Sequence, residues 1–448
     1  MKTIVALSTP TGPGAIGLIR ISGSDSRSAV SSHFPDLKVW APRKAILSKF
    51  YESNGNVLDE VILLYFPGPN SYTGEDVIEI NFHGSYYILE SAIKELISSG
   101  AVLAKAGEFT QRAFLNGKLD LVQAEAVGDL IASESRSAHD LAMKQMKGSI
   151  SLRLQQLRQQ LIDFAALIEL ELDFVEEDVE FAQRPALFKL LSDLKSEIKK
   201  MLNTFNLGNA IKNGIPLILA GAPNAGKSTL LNRFLGENRA IVTNVAGTTR
   251  DSIEERFRLG DHLFKIVDTA GLRKGKDEIE KLGIERSWKL MLEGQIILFL
   301  IDPTSCSTEE ALVLETEIIS RSPKASLLKV LTKYDLWNGV DYHKDFPNSL
   351  HTGSNIDLKN IQLKLLSLTN DEWNGSSDIL IANVRHAEAL SSALNSLIKA
   401  EDGLNDGISG EFIAYELKDT LESLGSITGE VVADDLLSSV FGRFCIGK

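Results

Sequence analysis

Two cysteines, Cys306 and Cys445, are all that 448 residues contain. That is too few for a disulfide framework, and a reducing cytoplasm is the expected setting. Long apolar runs are also missing. No uninterrupted stretch of about 18 apolar residues is present to span a bilayer, so no membrane partner is expected. The run "QIILFLI" at 295–301 has the length of a buried strand. The opening "MKTIVALSTPTGPGAIGLIRISG" is broken by Pro10, Gly12, Pro13 and Gly14 and lacks a signal-peptide core. Basic charge is in deficit, with 47 basic against 60 acidic residues and a net charge of −13. This excludes a surface coated for non-specific nucleic-acid binding, but not a local basic groove. What remains is an ordinary globular composition, 44% hydrophobic and 24% charged, in a chain long enough for two to four domains.

Proline is absent between Pro69 and Pro185, and that gap marks a change of texture. Before it, short β-branched runs (Thr3–Val5, Ile16–Ile21, Val61–Phe66, Val77–Phe82) alternate with turn clusters such as "PGPNSYTGED", with one helical pattern near Ile88–Ser98. Residues 1–116 therefore read as an α+β domain. From Leu119 to Val175 the pattern is helical. Leu152, Leu154, Leu157, Leu161, Phe164, Leu167 and Ile168 recur mostly three or four apart, as a bundle core does. Another helical stretch covers Leu187–Asn203. From Ile215 to about Leu366, apolar strands ("IPLILA", "FKIVD", "QIILFLID", "SLLKVLT") alternate with helices, the signature of a mainly parallel sheet. "SLTNDEWNGSSD" reads as a linker, and Ile379–Leu424 is helical again, ending near Gly425. The expected architecture is α/β and α: a helical domain from 117–212 and 371–448, with a P-loop domain at 213–370 inserted in it.

The inserted domain carries the sharpest chemistry. In "LILAGAPNAGKSTLLNRFL", Gly221 to Ser228 matches G-x-x-x-x-G-K-[ST], preceded by an apolar strand and followed by a helix. Asn224, Ala225, Gly226, Lys227, Ser228 and Thr229 are the candidate phosphate-binding residues. Backbone N–H groups would wrap the phosphates, Lys227 would reach the β and γ positions, and Ser228 would hold Mg²⁺. "FKIVDTAGL" places Asp268 at a strand end, followed by Thr269, Ala270 and Gly271, whose N–H can meet a γ-phosphate. "VLTKYD" ends another strand with Lys333 and Asp335. A carboxylate there can accept two hydrogens from the guanine edge, which adenine cannot offer, so GTP is the expected nucleotide. Between these motifs, "TNVAGTTRD" supplies Thr243, Asn244, Val245, Ala246, Gly247, Thr248 and Thr249 as a switch segment, with Thr249 the candidate Mg²⁺ ligand.

One expected group is missing. The position after Gly271, where a water-orienting Gln can stand, is Leu272. Downstream, Glu278, Glu280 and Glu285 are possible replacements, although charged residues on a helix usually face solvent. The chain ends "FCIGK". Cys445 there has three readings: a prenylation box, which Lys448 does not fit; a small apolar residue in a frayed tail; or a thiol belonging to a site.

Taken together, "TIVALSTPTGPGAIGLIRISG", "PGPNSYTGEDVIEINFHG", "AFLNGKLDLVQAEAV", "GAPNAGKSTLLN", "IVTNVAGTTRD", "DTAGLR" and the terminal "FCIGK" resemble the MnmE (TrmE) family of tRNA-modification GTPases across essentially the whole chain. The resemblance implies an N-terminal folate-binding domain that makes a homodimer, and a Ras-like G domain inserted in a helical domain. It implies a flavin-dependent partner, MnmG (GidA), in a heterotetramer, with FAD entering only through that partner. The implied activity is K⁺-stimulated GTP hydrolysis coupled to a carboxymethylaminomethyl or aminomethyl group at carbon five of the wobble uridine of certain tRNAs. A 5-formyl or methylene tetrahydrofolate supplies the one-carbon unit. By motif, K⁺ falls to Asn224, Thr243, Val245 and Thr248, and the catalytic glutamate to Glu280. Folate falls to Arg20, Glu79, Lys118 and Lys448, and Cys445 joins the modification site, where a neighbouring lysine favours a thiolate.

Two departures stand out. The guanine motif usually opens with Asn and here opens with Thr332, and the loop backing the base usually reads Ser-Ala, for which Ser349-Leu350 is the candidate. Both point to a lower nucleotide affinity. The residues alone leave open a regulatory GTPase without modification chemistry, or a dimeric scaffold for the partner. The acidic balance implies that the partner carries much of the tRNA contact.

Overall fold

The computed structural model describes all residues except 174–183, 223, 239–254, 268–294, 338–345, 347–348, 354–357, 375–378, 432–433 and 448. The chain divides into two compact units: 1–128 with 145–188 and 395–448, and 129–144 with 189–394.

In the first unit a six-stranded sheet has the order β3-β4-β5-β2-β1-β6. Its strands are β1 (Ile4–Leu7), β2 (Ile16–Ser22), β3 (Ile46–Tyr51), β4 (Val57–Phe66), β5 (Val77–His83) and β6 (Val102–Leu103). All pairs are antiparallel except β1 with β6. Ile19, Ile21, Val61, Leu63, Ile78, Ile80 and Phe82 alternate onto one face and pack on Leu89, Ala92 and Leu96 of helix Tyr86–Ser98. Strands β3 and β6 and helix Glu108–Leu115 were not expected from the sequence.

The long helical region is three helices, Leu121–Ala132, Arg136–Met146 and Ser149–Asp173, the last two parted at Gly148. In Ser149–Asp173 the buried stripe is Ile150, Leu154, Leu157, Leu161 and Ile168, facing helix Gly410–Thr428. Leu152, expected in that stripe, is 61% exposed, because it is out of phase with the stripe.

The second unit holds a sheet of order β12-β11-β10-β7-β9-β8, with β7 (Ile215–Gly221), β8 (Glu255–Leu259), β9 (His262–Val267), β10 (Ile296–Ile301), β11 (Ser326–Leu331) and β12 (Leu350–His351). Only the β8–β9 pair is antiparallel. Leu217, Leu219, Leu298 and Leu300 face one side of the sheet; Ile218, Ala220, Ile297, Phe299 and Ile301 face the other. Both faces are covered, as a parallel sheet requires. This is the expected fold class, an α+β N-terminal domain with helical and P-loop domains. Two local expectations give way. The presumed linker at 367–378 is helical through Asn374, because Ile361 and Leu365 anchor helix Lys359–Asn374 on the sheet. The helical region after 379 is two helices, Val384–Asn405 and Gly410–Thr428, the second running past Gly425.

A buried ion cluster fastens the first sheet. The Arg112 guanidinium, 4% exposed, donates to Glu75 at 3.0 Å, to Glu108 at 2.8 Å and to the Lys2 carbonyl at 2.8 Å. Arg112→Ala strands a mostly buried Glu75 carboxylate and is expected to destabilise this unit by about 3–5 kcal/mol. Faster hydrogen exchange of β1 and β2 amides is the readout, with Arg112→Lys intermediate.

Candidate functional sites

The phosphate loop leaves β7 at Gly221, whose φ is 145° and where an added Cβ would lie 2.3 Å from the Leu300 carbonyl of β10. Only glycine lets the two strand ends come this close. Asn224 follows with φ 64°, tolerable for Asn, and Gly226 with φ 91°. Positive φ at these positions is the kind of backbone from which anion-binding loops are built. Helix Lys227–Asn238 begins at its rim, so its N-terminal dipole adds to the field. The Lys227 ammonium donates across the loop to the Gly221 and Ala222 carbonyls at 2.7 and 2.8 Å. Ser228 and Thr229 are exposed in the first helical turn. The Ser228 hydroxyl is an oxygen donor of the kind Mg²⁺ takes.

The loop expected to read the base follows β11 at the same edge of the sheet. Thr332 is 1% exposed, and its hydroxyl donates to the Ala225 carbonyl of the phosphate loop at 3.0 Å, leaning also toward the Ile301 carbonyl at 3.3 Å. Lys333, at φ 52°, bonds through its ammonium to the Asn224 carbonyl at 3.2 Å and to the Asp302 carboxylate at 2.6 Å. Asp302 is 1% exposed. Burial pushes its carboxyl up, but the Lys333 ammonium and the Thr304 hydroxyl and amide outweigh that and hold it below the usual carboxylate range. Asp335 is exposed in the short turn Tyr334–Leu336.

Ser349 and Leu350, the pair expected to back the base, lie at the last strand of the sheet. Ser349 precedes β12, while Leu350 pairs with Val330 and packs on the sheet core. The residue against Asp335 is Gly353: a Cβ there would lie 3.1 Å from the Asp335 carboxyl carbon. The Tyr334 amide donates to the Thr352 carbonyl at 3.1 Å, and the Tyr334 ring stacks on His351. Asp302 and Gly353 escaped the sequence reading. The only signal was an aspartate ending an apolar strand in "FLID". Thr243, Asn244, Val245, Ala246, Gly247, Thr248, Thr249, Asp268, Thr269, Ala270, Gly271 and Glu280 lie outside the described residues.

In the first unit, Arg20 and Glu79 are register neighbours on β2 and β5 and form an ion pair at 2.8 Å. The guanidinium lies over the Tyr72 and Phe109 rings, 5.5 and 5.8 Å from their centroids. Tyr72 belongs to a loop that is held at many points: Lys118 to the Pro69 carbonyl at 3.1 Å, Asn116 to the Thr73 carbonyl at 2.7 Å, and Tyr72 to Thr110 at 2.8 Å. Burial pushes the Tyr72 phenol up. A charged pair flanked by aromatic rings suits a flat heterocycle with donors on one edge and an anionic tail, which is the chemistry of a folate. Tyr72 and Phe109 were not singled out from sequence. Lys448 lies outside the described residues.

The tail reaches this same unit. Ile446 bridges Ala106, the Gly107 amide donates to the Cys445 carbonyl at 3.4 Å, and Ser8 donates to the Gly447 carbonyl at 3.0 Å. Gly447 has φ 94°, and a Cβ there would sit 2.2 Å from the Leu7 carbonyl. Phe441 and Phe444 pack with Phe114 and Leu121. The Cys445 thiol is exposed, and neither it nor Cys306 is in a disulfide.

A phosphate loop, a base loop tied to it, and a parallel sheet joining them define a P-loop protein of the G-domain class. A family model described as GTP-binding protein TrmE N-terminus matches residues 3–118, and one described as MnmE helical domain matches residues 121–445. Curated proteins named tRNA modification GTPase MnmE are similar over the full chain. That of Cytophaga hutchinsonii is 42% identical, covering 100% of this chain and 98% of its own. That of Bacteroides thetaiotaomicron is 43% identical, covering 100% and 99%. A solved structure, the G domain of the T. maritima FeoB iron transporter, aligns with 36% of this chain and 98% of its own at 22% identity and a TM-score of 0.25. The chain belongs to the MnmE family. Among the described residues, no helix is long and apolar enough to cross a membrane.

Asp302→Ala leaves the Lys333 ammonium with the Asn224 carbonyl alone. Losing a charged hydrogen bond at a part-exposed lysine is expected to weaken GDP binding by about tenfold, roughly 1.4 kcal/mol. Titration calorimetry checks this; unchanged affinity would remove Asp302 from the site.

Proposed function

We propose that this chain is a GTP hydrolase of tRNA modification. With a flavin-dependent MnmG partner, it would add a carboxymethylaminomethyl or aminomethyl group to carbon five of a wobble uridine, in the cytoplasm. The coarse part, a GTPase in tRNA modification, rests on family membership and on the two loops of the second unit. The finer part is carried by one observation. The Cys445 tail is fastened to Ala106, Gly107 and Ser8, and Gly107 leads directly into the helix whose Phe109 lies under Arg20. A thiol held at that corner suits one-carbon chemistry, and a switch that only binds nucleotide has no use for it.

The roles follow on this reading. Lys227 and the phosphate-loop amides hold the β and γ phosphates, Ser228 with Thr249 holds Mg²⁺, and Asp335 reads guanine. Asn224, Thr243, Val245 and Thr248 hold K⁺, a fixed cation that stabilises charge developing on the transferring phosphate. Glu280 orients water in place of a glutamine at Leu272. Arg20, Glu79, Lys118 and Lys448 hold the tetrahydrofolate, the glutamate tail facing the basic groups. The domains run 1–116, 117–212 with 371–448, and 213–370, and the chain works as a homodimer within a heterotetramer with MnmG.

Two outcomes are expected. Nucleosides of tRNA from cells whose only copy carries Cys445→Ser should lose the wobble modification while the purified protein still hydrolyses GTP. Persistence of the modification would overturn the finer reading. GTP hydrolysis should run faster in KCl than in NaCl. Glu280→Ala should cut the rate by about 10²-fold or more, as loss of a positioned acid–base group does; equal rates in both salts would remove K⁺.

A further inference from the structure

We propose that Thr332 makes nucleotide recognition in this chain insensitive to N7 of the purine, so that guanine is chosen through its N1 and N2 edge alone. The proposal rests on the reading of Asp335 as the guanine-binding carboxylate and deepens it. An asparagine amide carries two donors, so one can tie the base loop to the phosphate loop while the other reaches a purine nitrogen. A threonine hydroxyl carries one. Here that hydrogen is committed: Thr332 Oγ1 lies 3.0 Å from the Ala225 carbonyl and 3.3 Å from the Ile301 carbonyl, both of which can only accept. Guanine N7 is likewise only an acceptor. Thr332 therefore has nothing to offer it but a lone pair.

Geometry agrees with the count. Thr332 is 1% exposed and lies beneath the phosphate loop, whereas Asp335 is exposed in the turn that follows. Freeing the hydroxyl for N7 would leave the buried Ala225 carbonyl without this donor, and a stranded buried polar group costs more than the new bond returns. Thr332 is thus a positioning residue for the phosphate loop. The lysine beside it takes two of its three donors to Asn224 and Asp302.

The test uses the full chain and needs no variant to begin. GDP and 7-deaza-GDP, in which N7 is replaced by C–H, are titrated in parallel. The proposal expects their dissociation constants to agree within about twofold, whereas loss of a working neutral hydrogen bond would cost about threefold to tenfold. A deficit of about threefold or more for 7-deaza-GDP overturns it. Thr332→Val keeps the shape and removes the hydrogen. It should weaken both nucleotides equally; weakening of GDP alone would show that the hydroxyl reaches N7 and would also overturn it. Asp335→Asn separates the two readings, because it should move preference from guanosine to xanthosine diphosphate. If it does not, the guanine assignment itself fails and takes the proposal with it.

Discussion

The Lys333 ammonium stands between the Asp302 carboxylate, 2.6 Å away, and the Asn224 carbonyl, 3.2 Å away, and so joins the ends of three parallel strands. The two loops of the nucleotide-binding unit meet at that junction. Loops at the carboxyl edge of a parallel sheet have no hydrogen-bonded ladder of their own, so their mutual positions must be set by side chains. The sheet brings the strand ends level, with Leu300 opposite Gly221 and Ile301 opposite Leu331. Thr332 and Lys333 then carry that registration into the loops. The phosphate loop and the loop after β11 are thereby tied to each other.

The first unit solves a similar problem with different groups. Its long loop between β4 and β5 would be loose on its own. Arg112 binds Glu75 and Glu108 together, and Asn116, Lys118 and Thr110 fix the rest of the loop. That brings Tyr72 over Arg20. The tail is anchored by backbone groups more than by side chains, which is why Gly447 matters: the chain passes the Leu7 carbonyl at a distance that admits no Cβ. Cys445 is therefore placed by its neighbours on either side, and its own thiol stays exposed.

What was legible in the sequence had local causes. The phosphate loop, the apolar strands and the bundle stripe each follow from spacing within about ten residues. What was not legible came from long-range pairing. Strand β12 is two residues long and exists because Val330 and Leu331 offer it an edge. Leu350 turned inward for the same reason, and the residue beside Asp335 is Gly353. Leu152 falls outside the core because phase, and not hydrophobicity, decides which leucine is buried. Asp302 was hidden because its importance lies in partners 31 residues away at Lys333. The aromatic pair about Arg20 comes from a loop and a helix that no local pattern joins.

Replacing the asparagine of the guanine motif by Thr332 becomes intelligible in this light. An asparagine there would serve two ends, loop registration and base contact. Registration cannot be given up, because the phosphate loop would lose its link to the base loop. Thr332 keeps it through the Ala225 carbonyl, and the Asp302–Lys333 pair reinforces it through Asn224. Base contact can be given up at the cost of one neutral hydrogen bond, about 0.5–1.5 kcal/mol. Differences of that size between related complexes fall mainly on the dissociation rate. On this argument the substitution shortens nucleotide residence without disturbing the link between the two loops.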